Sequence, residues 1–290
     1  RLGAAGKRPV AVVAQHAYAA HVGEAGSFAG GMPVYVHEAE AVARWRAAIV
    51  DVAIEEMGHL AAVWNITAAV GGQPRFGRPN FPLDVGYLPA GIVVKLAPFN
   101  EDVLQHFVHL ERPVGSREPE GEGFAPERNF TRDTGQRGRL TPMPVDYETV
   151  GVFYEHIGQV LRTFSAEHGE SNAFCGDPAL QLSPAELDLG GAKPVLCLKT
   201  ALQAFDAIVT QGEGASADSA DSHFQRFAAI RAEYRKLKAA NPDFTPAHLA
   251  ATNPVLRKPP TPEGKVWLED ADAIATVDLA NSCYQLMLRL

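Results

Sequence analysis

Glu56 and His59 stand three residues apart in the run Glu55-Glu56-Met57-Gly58-His59-Leu60. On a helix this spacing sets a carboxylate and an imidazole one turn apart on one face, as bundles do when they offer an oxygen and a nitrogen donor to a metal ion. Mixed carboxylate–imidazole sets with an open position suit iron and can activate dioxygen. Trp45, Ile49, Val52, Glu56, His59, Val63, Ile66 and Val70 recur in steps of four and three. The pair therefore sits on an otherwise apolar stripe, aimed at a bundle interior. Glu55 lies on the flank of that stripe, beside Asp51. An unpartnered buried carboxylate is costly, so Glu56 needs a metal or a satisfied Glu–His hydrogen bond, and the stripe leaves both readings open.

Further donors lie downstream. In 146–168 the apolar stripe is Val150, Phe153, Ile157, Val160 and Phe164, and Glu155 is on the opposite side with Gly151 and Gly158 beside it. Small residues there would admit another helix and turn Glu155 toward a second interior surface. The plainer alternative is a wet face with Glu155 paired to Arg162. In 194–211 the stripe Leu198, Leu202, Phe205, Val209 runs on toward Glu213. After a short loop, Asp221 or Ser222 caps the next helix, and His223 shares a face with Phe227, Ile230 and Tyr234. Glu213 and His223 could replace a second compact Glu-x-x-His; a capping or surface imidazole is the other reading of His223. His106, His109 and Glu111 have ligand-like spacing, but Glu101 and Gln105 point to a solvated helix. His16 and His21 have no carboxylate companion, and the sequon Asn65-Ile66-Thr67 falls mid-helix with Ile66 on the core stripe.

The elements that must carry these residues are helices. Helical periodicity covers about 9–22, 37–70, 100–110, 146–168, 194–211, 222–240 and 270–289, separated by Pro- and Gly-rich blocks. Only 91–96 looks strand-like, and one run makes no sheet. The fold class is all-α, and the whole of 1–290 reads as one domain, since the irregular blocks do not split the chain into separately apolar halves.

Composition removes several classes of function. A net charge of −8 excludes a basic nucleic-acid footprint. No run of about 18 apolar residues offers a transmembrane helix, so no membrane partner is expected. Three scattered cysteines, Cys175, Cys197 and Cys283, make neither a disulfide framework nor a cysteine-only zinc site, and a cytoplasmic location is expected. Phosphate-loop and nucleophile-elbow motifs are absent.

The run EEMGHL with GGQP at 71–74 resembles the ferritin-like family that includes the iminophenyl-pyruvate dimer synthase domain of violacein-type pathways. So do PNFPLDVGYLPAGIVVKLAPFN at 79–100, TVGVFYEHI at 149–157, FCGDPALQ at 174–181, IVTQGEG at 208–214, SHFQRFAAI at 222–230, TNPV at 252–255 and NSCYQLMLRL at 281–290. The resemblance implies a ferritin-like four-helix bundle with long loops and extra C-terminal helices, and a non-haem metal centre within it. Two positions depart from the family pattern: Gln15 stands for a carboxylate in the first helix, and Val152 for a Glu before Phe-Tyr in the third. Glu56, His59, Glu213 and His223 then form the expected set, with Glu155 a substitute one turn beyond Val152; this suffices for a mononuclear iron site. The implied activity is a metal-dependent oxidoreductase or imine-forming, coupling enzyme of specialised metabolism. Its substrate is a small amino-acid-derived molecule, and homo-oligomerisation is left open. The alternative is a metal-free bundle with a decayed site that binds a ligand or a partner protein. Iron storage finds no support.

Overall fold

The computed structural model describes residues 36–74, 81–82, 93–125, 147–212, 221–247, 250–260 and 264–287. The predicted first helix at 9–22, with Gln15, His16 and His21, lies outside them, as does Glu213.

A single 34-residue helix, α1 (Val36–Ala69), is the axis on which the rest is assembled, roughly 50 Å long at the helical rise. Its stripe works as the periodicity requires: Trp45, Ile49, Val52, His59 and Ile66 are all buried. Around its N-terminal half pack α2 (Glu101–Leu110) and α6 (His223–Ala240); around its C-terminal half packs α5 (Leu198–Gln211), which in turn carries α3 (Val150–His168). The four-residue α4 (Glu170–Ala173) follows α3, and α7 (Ala271–Met287) comes last. Capping explains where the helices start. Asn100, Thr149 and Ser222 each accept a hydrogen bond from a backbone N–H of the first turn they precede, serving donors that have no helical partner.

Two apolar cores result. The first joins Trp45 and Val52 to Leu104 and Phe107 of α2 and to Phe227 and Tyr234 of α6, with Phe107 and Phe227 stacked at 4.8 Å. The second joins Ile66 and Ala69 to Val195, Ala201 and Phe205. Each large side chain buried in this way contributes about 1.5–3 kcal/mol. Between the cores, on the middle turns of α1, lie Glu55, Glu56 and His59. Asn65 is wholly buried and carries no exposed sequon: its amide donates to the carbonyls of Leu182 and Lys193 and accepts from Leu182 N at 2.6 Å.

Three expectations need correction. The described part of the strand-like run, 93–96, forms no strand; Leu96 N donates to the Asn253 side chain instead, and the two-residue parallel ladder pairs β1 (Pro254–Val255) with β2 (Val266–Trp267). α2 is not a solvated helix: Val103 through Val108 are buried, and the Gln105 amide is satisfied by Pro119 O at 2.6 Å. α3 does not bury its whole apolar stripe. Its buried positions are Gly151, Gly158 and Ser165, whereas Val160 and Phe164 are exposed, because the glycine face lets α5 approach until a Cβ on Gly158 would touch Leu202.

Candidate metal centre

Local structure brings five side chains to the polar layer between the cores. α1 runs unbroken through it, so Glu56 and His59 share a face and Glu55 stands beside them. Gly191 seats the helix there: a Cβ on it would lie 1.7 Å from Gly58 O, so only glycine permits this backbone contact. Glu111 follows the last turn of α2 and is 1% exposed. α5 ends at Gly212, and Ser222 opens α6 with His223 as its first residue, wholly buried. A Cβ on Gly212 would lie 2.6 Å from His223 Nδ1 and 3.2 Å from His59 Cε1, so this turn must be glycine for the two rings to fit.

The geometry converges on Glu56. His59 Nδ1 and His223 Nδ1 each stand 3.1 Å from Glu56 Oε1, and the rings are 5.6 Å apart between centroids. His223 Nδ1 also lies 3.6 Å from Glu111 Oε2, and neither of its carboxylate contacts is aligned as a hydrogen bond. The outer nitrogens are held from behind. His59 Nε2 is 3.1 Å from Gln211 Oε1, and His223 Nε2–H donates to Glu55 Oε2 at 2.8 Å. Arg226 donates twice to Glu55 Oε1, at 3.0 Å each, and once to Asp221 at the surface.

The electrostatics follow from this crowding. Burial acts to raise the Glu56 pKa, but the close approach of His223 at 3.1 Å, the hydrogen bond from His59 and the positive charge of both rings outweigh it and hold the group at about 2. For His223 burial acts downward, and the Glu111 and Glu56 carboxylates overcome it, pushing the ring up to about 11. His59 is raised too, burial being outweighed mainly by Glu56. In the metal-free protein His223 Nδ1 therefore carries a proton, and a metal ion would have to displace it.

The donors fit a metal ion. One atom from each of Glu56, Glu111 and His223 lies within 4.8 Å of the others, and two carboxylates with an imidazole make a set that suits iron, manganese or zinc. Of the residues expected from sequence, Glu56, His59 and His223 meet here. Glu155 does not: it is exposed on α3 and lines a cleft of about 850 Å³ between α3 and α5. Glu213 lies outside the described residues, directly after Gly212. Glu111 was missed because α2 was read as solvated. Its signal was present: Leu104, Phe107, Val108 and Glu111 form an i, i+3, i+4, i+7 stripe, the same argument that placed Glu56 inside.

The sequence model of the family described as Ferritin-like matches residues 23–232. The chain belongs to the ferritin-like family. This ferritin-like segment includes every donor named above, whereas β1, β2 and α7 lie beyond it. The chain is also similar to the 2-imino-3-(indol-3-yl)propanoate dimerase of Chromobacterium violaceum, 28% identical over 261 residues that cover 83% of this chain and 22% of that protein. It thus spans about a fifth of the length of that curated relative. No solved structure matches the chain. The all-α bundle expected from sequence agrees with the family, and no helix among the described residues is long and apolar enough to cross a membrane.

Proposed function

We propose that the polar layer is a non-haem iron site, and that the chain acts as a metal-dependent oxidoreductase or imine-coupling enzyme on a small amino-acid-derived substrate. The observation that carries the reading is the convergence of Glu56, Glu111 and His223 donor atoms in a buried layer, with His59 beside them. Glu56, Glu111 and His223 would hold the ion, and His59 would hold Glu56 or join them. Iron bound there would supply redox chemistry and an open coordination position. The protein's own part is positional. Glu55 and Gln211 fix the outer edges of the two rings, Gly212 leaves the space they occupy, and the apolar cores on either side keep water from the donors.

The substrate class comes from the relative, whose name describes dimerisation of an indole-bearing imine of a propanoate. The α3–α5 cleft offers such a molecule an aromatic wall of Tyr154 and Phe205, with Arg162 and Lys199 as cations for a carboxylate and Glu155, Glu170 and Asp206 as anions for a protonated imine. It extends along α5 to Val209, two residues before Gln211.

The metal-free reading has one observation in its favour: Glu56 already lies between two imidazoles that neutralise it. Anaerobic reconstitution with ferrous iron separates the two. The parent is expected to hold close to one iron per chain and Glu111→Ala far less. Uptake by the parent below roughly a tenth of an equivalent, far short of what a ligand-rich site binds, would reject the iron reading.

A further inference from the structure

Glu55 is the half of the glutamate pair that adds no atom to the donor cluster, yet it is more firmly held than its neighbour. One carboxylate oxygen accepts from His223 Nε2–H at 2.8 Å, and the other takes two donors of Arg226 at 3.0 Å each. Arg226 is in turn tied to Asp221 at 3.1 Å, so the chain of contacts runs from an exposed carboxylate to a wholly buried imidazole. A carboxylate can only accept, so the proton on His223 Nε2 is fixed in place, and Nδ1 is the nitrogen left to bind a metal. His59 is treated differently, because the neutral amide oxygen of Gln211 faces its Nε2.

We infer that Glu55, clamped by Arg226, is a positioning residue that commits His223 to coordination through Nδ1. The inference rests on the metal reading above and adds to it the residue that sets the orientation and basicity of one ligand.

Cobalt(II) alone is the probe. In the cobalt-loaded parent, proton NMR in water should show a hyperfine-shifted exchangeable N–H from His223 that exchanges slowly, since it donates to a buried carboxylate. In Glu55→Ala that resonance should vanish into fast exchange, and cobalt affinity should fall about 10–100-fold. Glu55→Gln, which keeps an acceptor and the packing, should retain the resonance with faster exchange. Gln211→Ala, which alters only the His59 side, should leave it in place. A cobalt-loaded parent without a slowly exchanging shifted N–H, or glutamate variants with unchanged exchange, overturns the role of Glu55 while leaving the metal site standing. Failure of the parent to take up cobalt overturns both.

Discussion

At the scale of single residues, the cluster depends on space as much as on charge. Gly212 leaves the rings room that a side chain would take, since a Cβ there would fall 2.6 Å from His223 Nδ1. Gly212→Ala should lower stability by about 1–3 kcal/mol through overpacking and should reduce iron uptake, because both rings must shift. Gly190→Ala, whose Cβ would meet nothing within 4 Å, is the control, and full iron uptake by Gly212→Ala would contradict the crowded geometry. A second polar group offers a test in pH. Burial acts to raise the pKa of Glu120, but the hydrogen bond from His106 at 3.0 Å and the charges of His106 and His109 bring it below the usual value. A carboxyl depressed on folding stabilises the protein fully above its unfolded pKa of about 4.5, and that contribution is lost as pH falls through the folded value. Denaturant titrations of the parent and Glu120→Gln should therefore differ more above the unfolded carboxyl pKa than below it, and converge in acid. A gap that widens as pH falls would reverse the sign argued here. Much of the cluster was legible residue by residue: Glu56, His59 and His223 each interrupt an apolar stripe. Glu111 does so as well, but Gln105 concealed it, because a buried amide satisfied by a backbone carbonyl looks like a solvated one in sequence.

At the scale of elements, the order and extents of the longer described helices were legible, and the faces were less so, while the four-residue α4 fell in a block read as irregular. Periodicity places α3 correctly, and the Gly151–Gly158 face read as open to another helix is where α5 packs, so only part of the apolar stripe, Ile157 among it, is drawn into the core. Gly151 and Gly158 permit closer approach than Val160 and Phe164 do, and α5 takes the closer fit. A hydrogen-bonded side chain joins the C-terminal part of α1 to the loops alongside the apolar contact with Val195. Asn65→Ala would remove an acceptor from Leu182 N and a donor from two carbonyls, all part-buried. Each stranded group costs about 1–3 kcal/mol, so a clear drop in unfolding midpoint is expected. Iron per chain should stay at the parental value, since Asn65 lies beyond the donors. Loss of iron from a folded Asn65→Ala protein would show that the loop at 182–193 does more than pack.

For the whole molecule, two apolar cores share one long helix, and the polar layer lies between them. An ion held by Glu56, Glu111 and His223 would tie α1, α2 and α6 together at that layer. Hydrogen exchange with and without ferrous iron should therefore show slower amides in the middle turns of α1 and at the start of α6. α7, which carries none of the donors, should be unaffected. Uniform protection along the chain, or a response confined to α7, would place the ion elsewhere.

The scattered origin of the donors also has a consequence for biosynthesis. On a growing polypeptide Glu56 and His59 emerge first, Glu111 later, and His223 only once nearly the whole bundle sequence has been made. Two ligands on one turn are a poor chelate, and holding the third and fourth near them in an unfolded chain means closing long loops against their entropy. The donor set thus does not exist on a ribosome-bound fragment that ends before α6, and such a fragment has little hold on a wrong metal. An ion bound at this layer would be acquired only once α6 has been made, by a folded host whose ring orientations are already set.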